Sequence, residues 1–157
     1  MTLTIDLAAA WIAVVTGEPA TALDQILRAA QNARQAGVHS YEGWLLHDAA
    51  RMGFAPDVAD WLAKLAKSTD VALAYARSRG AIALASKQSA DLLDAAAIAA
   101  DTALDLFAAE LAASASRIEQ RTGEDRGRQP QQPSPRDISH TAATRALPAC
   151  AAVCSAA

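Results

Sequence analysis

Apolar residues recur with the 3.6-residue period of an α-helix along most of the chain, most clearly between residues 39 and 67. The first stripe in this stretch consists of Tyr41, Trp44, Leu45, Ala49 and Met52. The second stripe, at i, i+3, i+4 and i+7, consists of Val58, Trp61, Leu62 and Leu65. Pro56 suits the first position of a helix, because its missing N–H would have no intrahelical partner there. The pattern predicts two helices joined by a tight corner from Gly53 to Pro56, which is the helical hairpin of an α-repeat array.

Start and stop signals divide residues 4–123 into seven predicted helices. Gly17 and Gly37 are typical of helix ends, and Ser68-Thr69-Asp70 offers N-cap side chains for the fifth helix. Asp101 is predicted to cap the seventh helix, which is expected to end at Gly123. The predicted bounds are 4–16, 19–36, 39–52, 56–67, 71–85, 89–99 and 101–123. Pairing them in order gives three hairpins about 35 residues apart, with the seventh helix covering the end.

The predicted fold class is all-α: antiparallel helix-hairpin repeats forming a tetratricopeptide-like (TPR-like) α-solenoid of about seven helices. Ala10, Ala22 and Ala29 are spaced like the small positions of a TPR unit. Alanine is so common in this chain that such a match also arises by chance. Gly80 lies inside the fifth helix and costs it about 1 kcal/mol relative to alanine, so we expect a close helix crossing there. The predicted core stripe of the seventh helix consists of Leu104, Phe107, Ala108, Leu111, Ala115 and Ile118.

The sequence changes character after Gly123. Four of the six prolines lie beyond this residue, and no apolar stripe of useful length remains. We therefore predict a helical-repeat domain over residues 4–123 and a disordered tail over residues 124–157. A shift of the reading frame, so that helical sequence continues in another frame of the DNA, is a second explanation of the change.

Composition supports a helical scaffold and argues against nucleic acid as a direct ligand. Hydrophobic residues make up 52% of the 157 residues but aromatic residues only 4%, so alanine supplies much of the apolar content. Alanine favours helices and allows them to approach closely, and the length is sufficient for one domain with a core. The net charge is −3, whereas phosphate contacts normally need a clustered basic surface.

The first fifteen residues do not form a typical signal peptide or membrane anchor. No Lys or Arg precedes the apolar run from Leu7 to Val15, Asp6 adjoins it, and the run is far shorter than the ~20 residues that span a bilayer. We expect a cytoplasmic protein without a membrane partner. Cys150 and Cys154 both lie in the tail, so the fold is predicted to have no disulfide framework.

The most polar cluster on the predicted hairpin is His47, Asp48 and Arg51. A His–Asp pair can serve as an acid/base couple in a small helical enzyme. Neighbours at i and i+1 on a helix point in different directions, however, and no Ser, Cys or second acid is spaced to join them. We interpret the cluster as structural, either capping a helix or linking two helices. The sequence thus predicts no catalytic residue and a non-enzymatic protein.

Metal and cofactor sites are not predicted either. His39, His47 and His140 are scattered, and Cys150 and Cys154 alone make a poor zinc site. Phosphate-binding glycine motifs are absent from the sequence. Trp11, Trp44 and Trp61 fall on apolar stripes and are predicted to anchor the core, although a concave solenoid surface can also use Trp to bind a peptide. We expect solvated side chains at Arg28, Arg34, Arg77 and Arg79, and a favourable interaction with the C-terminal helix dipole for Arg117 and Arg121.

Three stretches resemble the helical-repeat region of large ATP-dependent transcriptional regulators of the LuxR type, the MalT-like group of actinobacteria. The first is Ala13-Val-Val-Thr-Gly-Glu-Pro-Ala-Thr-Ala-Leu. The second is Leu45-Leu-His-Asp-Ala-Ala-Arg-Met-Gly, which is similar to an L-H-x-x-x-R-x-G hairpin, followed by Val58-Ala-Asp-Trp-Leu-Ala-Lys-Leu-Ala. The third is Ala108-Ala-Glu-Leu-Ala-Ala-Ser-Ala-Ser. The likeness covers about residues 5–123.

In that family an ATPase precedes the repeats and a DNA-binding helix-turn-helix follows them, and neither has a counterpart in this sequence. The resemblance implies a piece of the sensor region that binds a protein or peptide partner, such as a regulator of the same family. Partner or effector binding would act by shifting how the repeats pack. The alternative is a truncated or frameshifted gene remnant without independent activity.

Overall fold

Seven α-helices form the part of the chain that the computed structural model describes, residues 3–128, with side chains described from 7 to 123. Their bounds are α1 (Leu3–Val15), α2 (Pro19–Gln35), α3 (His39–Ala49), α4 (Ala55–Thr69), α5 (Ala72–Ser86), α6 (Ser89–Asp101) and α7 (Asp105–Arg128). Helices α1 to α6 pack as sequential antiparallel pairs, each against the next. The prediction of an all-α fold built from antiparallel helix pairs is therefore confirmed. None of the described helices is both long and apolar enough to cross a membrane.

A residue with left-handed backbone angles stands at each of the six junctions between helices. These residues are Gly17, Gly37, Gly53, Asp70, Lys87 and Ala103, with φ between +47° and +103°. Gly53 lies in the short segment Ala50–Phe54 that joins α3 to α4. The sequence distance from one junction to the next but one is nearly constant: Gly53 and Lys87 are 34 positions apart, and Asp70 and Ala103 are 33 apart. The chain therefore reverses direction at a regular interval.

The predicted cap of the fifth helix is wrong, because Ser68, Thr69 and Asp70 end α4 instead. The hydroxyls of Ser68 and Thr69 donate to the carbonyl oxygen of Leu65 at 2.8 and 3.0 Å, and Asp70 is the left-handed residue after the helix. Such back-bonding to the preceding turn is available to Ser and Thr wherever a helix continues through them. The N-cap position of α5 is occupied by Val71, without a side-chain hydrogen bond.

The predicted limits of the seventh helix are also wrong at both ends. Asp101 is the last residue of α6, and α7 begins at Asp105 after the left-handed Ala103. At the other end the helix continues through Gly123 to Arg128, because Gly123 does not take the left-handed angles that stop a helix. Arg117 and Arg121 therefore lie inside α7 and not in its last turn. Contacts divide the chain into compact units after Thr122, and residues 129–157 of the predicted tail lie outside the described residues.

Within residues 7–123, the buried residues form two clusters rich in alanine. The larger involves α1 to α5 and includes Ile26, Leu45, Leu46, Val58 and Leu62. The smaller cluster joins α5, α6 and α7 through Ala83, Leu92, Ala95, Ala99, Phe107, Leu111 and Ala115, with Leu104, Ala108 and Ile118 packed against it. The apolar stripe predicted for the seventh helix is thus confirmed.

Gly80 lies at a close crossing of α5 and α7. A Cβ atom placed on Gly80 would overlap the ring carbons of Phe107 and lie 3.4 Å from Cδ1 of Leu111. The close crossing predicted from a glycine inside the fifth helix is confirmed. The crossing places Phe107 beside His47 of α3.

Candidate functional site

A network of charged side chains links α3 to α7. Nε of Arg51 donates to Oε2 of Glu110 at 2.8 Å, and Nη2 donates to Oε1 of the same carboxylate at 2.6 Å. Nη1 of Arg51 donates to Oδ1 of Asp48 at 3.0 Å. Arg51, in the segment that joins α3 to α4, therefore stands between two carboxylates, that of Asp48 at the end of α3 and that of Glu110, 59 positions along the chain. The inter-helix contact predicted for this cluster is confirmed for Arg51.

The environment of the network shifts the pKa values of its members in opposite directions. Burial raises the pKa of Asp48, and the hydrogen bond and positive charge of Arg51 only partly oppose that effect. The hydrogen bond from Arg51 lowers the pKa of the more exposed Glu110. The hydrogen bond to Glu110, helped by Asp48, raises the pKa of Arg51 above its ordinary value, so Arg51 stays charged. The arrangement is suited to holding two helices together.

His47 lies beside this network in an apolar environment. Its side chain is buried, Nδ1 has no hydrogen-bond partner among the described residues, and its ring meets Phe107 edge-on at a centroid distance of 4.4 Å. Burial, reinforced by the charges of Arg77 and Arg51, lowers the pKa of His47 to about 3. The imidazole is therefore neutral at pH 7. No hydrogen bond joins His47 to Asp48 within residues 7–123, so the structure does not bring the two together as a couple.

Arg77 on α5 is less exposed than its sequence position predicts. The prediction of a solvated side chain is wrong: Arg77 is partly buried, and its Nε atom is buried without a hydrogen-bond partner among the described residues. Burial lowers the pKa of Arg77, opposed by the negative charge of Asp48. The prediction is wrong for Arg79 in the same way, because it is partly buried and its Nε atom also has no hydrogen-bond partner among the described residues. Arg28 and Arg34 are exposed as predicted.

The predicted core role of the three tryptophans holds for two of them. Trp11 and Trp61 pack partly buried against the larger core cluster. Nε1 of Trp61 donates to Oε1 of Glu42 at 2.6 Å, and Oε2 of that buried carboxylate lies 3.0 Å from Nδ1 of His39. Trp44 is not a core residue, because it is 40% exposed, with Tyr41 packed edge-on against it.

Trp44 belongs instead to a surface cleft of about 270 Å³ between α3 and the start of α7. Leu106, which is 68% exposed, lies across the cleft. We refer to this surface as the Trp44 cleft; it is lined by Trp44, His47, Asp48, Arg51, Arg77, Ala103, Leu104, Asp105, Leu106 and Phe107. It combines exposed apolar side chains with charges of both signs, a composition suited to contact with another protein.

No group of three or more His, Cys, Asp or Glu side chains in the described part of the chain is placed to hold a metal ion. His39 and His47 lie on the same helix without a shared ligand position. The remaining candidates, His140, Cys150 and Cys154, lie outside the described residues.

Sequence reasoning missed three members of the site: Glu42, Arg77 and Glu110. Glu110 is far from Arg51 in sequence, and no local spacing links the two. Glu42 gives a weak signal, because it lies between the stripe residues Tyr41 and Trp44; only the structure shows that it is 1% exposed. A buried carboxylate in that position requires donors, and Trp61 and His39 are the polar residues nearest in the hairpin.

The fold and the site together define an all-α array of antiparallel helix pairs with a polar link to its last helix. In comparisons with known proteins, no family model, no curated protein and no solved structure matches this chain.

Proposed function

We propose that this chain is a non-enzymatic module of TPR-like repeats that binds a protein or peptide partner, in particular a LuxR-type regulator of the MalT-like group. The observation that carries the proposal is the regular chain reversal. Alternate left-handed junctions recur after 33 to 34 positions between Gly37 and Ala103, close to the 34-residue period of TPR units. Arrays of this kind present a continuous surface built from successive helix pairs, and they act mainly through binding.

The partner would dock at the Trp44 cleft. Trp44 and Leu106 offer apolar surface, and aromatic residues are enriched where proteins meet their partners. Asp48, Arg51 and Arg77 line the same cleft and would orient a polar partner. Because the lining combines α3, α5 and the first turn of α7, an occupant contacts all three helices at once. Docking would thereby bias how α7 sits on the array.

Mixing this protein with a full-length regulator of that group tests the proposal by size-exclusion chromatography. We expect a complex at tens of micromolar, which Trp44→Glu and Leu106→Glu should abolish because each places a charge in the apolar contact. Leu93→Glu is the matched control: Leu93 is 48% exposed on α6 and does not line the cleft.

A complex that survives both cleft variants would place the partner elsewhere, and loss of the complex in Leu93→Glu would show a non-specific effect of added charge. The competing proposal, a gene remnant without activity, expects no complex and no stable protein in cells. Immunodetection of the chain in its native host distinguishes the binding module from the gene remnant. Absence of both the complex and the stable protein would contradict a binding function.

A further inference from the structure

A second cavity, separate from the contacts that hold α7, lies between α3, α4 and α5. Its volume is about 460 Å³, within the ~300–1,000 Å³ range of small-molecule sites. Most of its wall is apolar, formed by Leu62, Leu65, Val71, Leu73, Ala74 and the backbone of Gly43. We call it the α3–α5 groove.

One strong cation lies in this apolar groove. Arg77 lines it, and Nη1 of Arg77 lies 3.9 Å from where a Cβ of Gly43 would stand. Nε of the same guanidinium is buried without a hydrogen-bond partner, and no ion pair of Arg77 is formed among residues 7–123. A buried N–H donor such as this Nε is costly unless an acceptor reaches it.

Among the described residues, no hydrogen bond joins Arg77 to the other polar residues of the groove, His39, Ser40, Ser68 and Thr69. The hydroxyls of Ser68 and Thr69 donate to the carbonyl oxygen of Leu65, and His39 is paired with Glu42. Within the described residues, the lining contains no Asp or Glu. The negative charge of Asp48 acts on Arg77 from the Trp44 cleft without forming an ion pair with it among residues 7–123. Inside the groove, charge complementarity therefore favours an anionic ligand.

We propose that the α3–α5 groove binds a small amphipathic monocarboxylate, with its aliphatic chain against Leu62, Leu65 and Leu73 and its carboxylate on Arg77. Two N–H groups of a guanidinium can bind both oxygens of a carboxylate at once, and the apolar wall suits an unbranched aliphatic chain. The inference rests on the proposed function and deepens it, because it names the chemical class of effector that the repeats would sense. Arg77 also lines the Trp44 cleft, so an occupant of the groove would change the charge presented to the partner.

Isothermal titration of the full chain with decanoate tests the assignment, with decanamide as the uncharged analogue of equal length. We expect a dissociation constant on the order of 100 µM for decanoate, given its size. Arg77→Gln should weaken binding about tenfold or more, since it removes a charge-assisted hydrogen bond. Arg28→Gln is the matched control: it removes the same charge from an exposed site on α2, where Arg28 pairs with Asp24.

A variant that fills the groove locates the site independently of charge. Ala74→Phe places a ring against the apolar wall and should abolish binding while leaving the helical circular dichroism unchanged. Backbone amide shifts at Gly43, Leu73 and Ala74 on addition of decanoate to the ¹⁵N-labelled protein should report the same location. Should Arg77→Gln fail to fold, decanamide and Ala74→Phe still test the two halves of the proposal.

The assignment would be overturned if the unmodified chain gave no heat and no amide shifts with decanoate, or if it bound decanamide as tightly as decanoate. Equal loss of decanoate affinity in Arg77→Gln and Arg28→Gln, or full decanoate binding by Ala74→Phe, would also overturn it. Each of these leaves complex formation with a regulator unaffected. Conversely, decanoate bound at the groove without any regulator complex would contradict the proposed partner and not the groove.

Discussion

Arg51 and Glu110 form a two-point ion pair that joins the segment after α3 to α7, with N–O distances of 2.8 and 2.6 Å. The pair is partly exposed, with 24% of the Arg51 side chain and 39% of the Glu110 side chain accessible. Its geometry is that of the stronger guanidinium–carboxylate contacts, whereas its exposure moderates the Coulombic gain.

A double-mutant cycle with Arg51→Met and Glu110→Gln should give a coupling free energy of about 1 kcal/mol, near the upper limit for exposed pairs. Arg51→Met alone should cost more than Glu110→Gln, because the buried Asp48 also loses its donor. Urea unfolding of the four proteins measures these differences. Strict additivity of the two single variants would show that the contact contributes nothing.

Gly80→Ala should lower the free energy of unfolding by about 1–3 kcal/mol, because the new methyl group collides with the Phe107 ring. The loss should appear although alanine favours a helix by about 1 kcal/mol over glycine. Gly123→Ala is the matched control: no atom lies within 4 Å of its Cβ position. It should therefore raise the free energy of unfolding through the helix preference of alanine. Adding Phe107→Leu to Gly80→Ala should recover part of the stability. Stabilisation by Gly80→Ala would contradict the close crossing.

His47 should make the protein less stable as the pH falls. Its pKa in the folded protein is about 3 and its unfolded value is 6.5, so below pH 6.5 the unfolded chain binds a proton that the folded chain does not. The free energy of unfolding should therefore fall by about 2 kcal/mol between pH 6.5 and 5. The difference between the native chain and His47→Leu, measured by denaturant unfolding at each pH, isolates this contribution. A difference that stays constant over the interval would contradict the buried neutral imidazole.

Trp61→Phe should cost about 1–3 kcal/mol, although the aromatic ring is retained. The substitution removes the N–H that Glu42 accepts at 2.6 Å, and the carboxylate of Glu42 is buried. Trp44→Phe, at an exposed position on the neighbouring helix, should change stability by less than about 0.5 kcal/mol. Thermal unfolding monitored by circular dichroism compares the two. Equal effects would mean that the Trp61–Glu42 contact does not stabilise the hairpin.

Local sequence patterns predicted the helices well, but they could not predict which residues of different helices meet. The stripe from Val58 to Leu65 repeats within a single helix, so its buried face follows from periodicity alone. Phe107 and Gly80 were each recognisable, as a core residue and as a crossing point, but only the packing of α7 on α5 shows that they meet. Arg77 was misjudged because a charged residue on a helix is usually solvated, and its burial depends on elements before and after it in the chain.

Capping signals were ambiguous for a different physical reason. Ser68 and Thr69 can accept a hydrogen bond from the first turn of a following helix or donate one to the last turn of a preceding helix. The sequence Ser-Thr-Asp fits both roles, and the choice depends on which backbone angles the junction adopts. Asp101 was misassigned in the same way, because the left-handed turn falls at Ala103 and not before it.

The attachment of α7 also has a consequence for the order of folding. Each hairpin of α1 to α6 forms contacts close in sequence, whereas the contact of Arg51 with Glu110 must close a loop of 59 residues and costs chain entropy before it stabilises anything. The ion pair should therefore form after α7 has packed on α5 and α6, and it should be the first contact of α7 to break. In amide hydrogen exchange, α7 should lose protection in a local opening while α3 and α4 exchange only when the whole array unfolds.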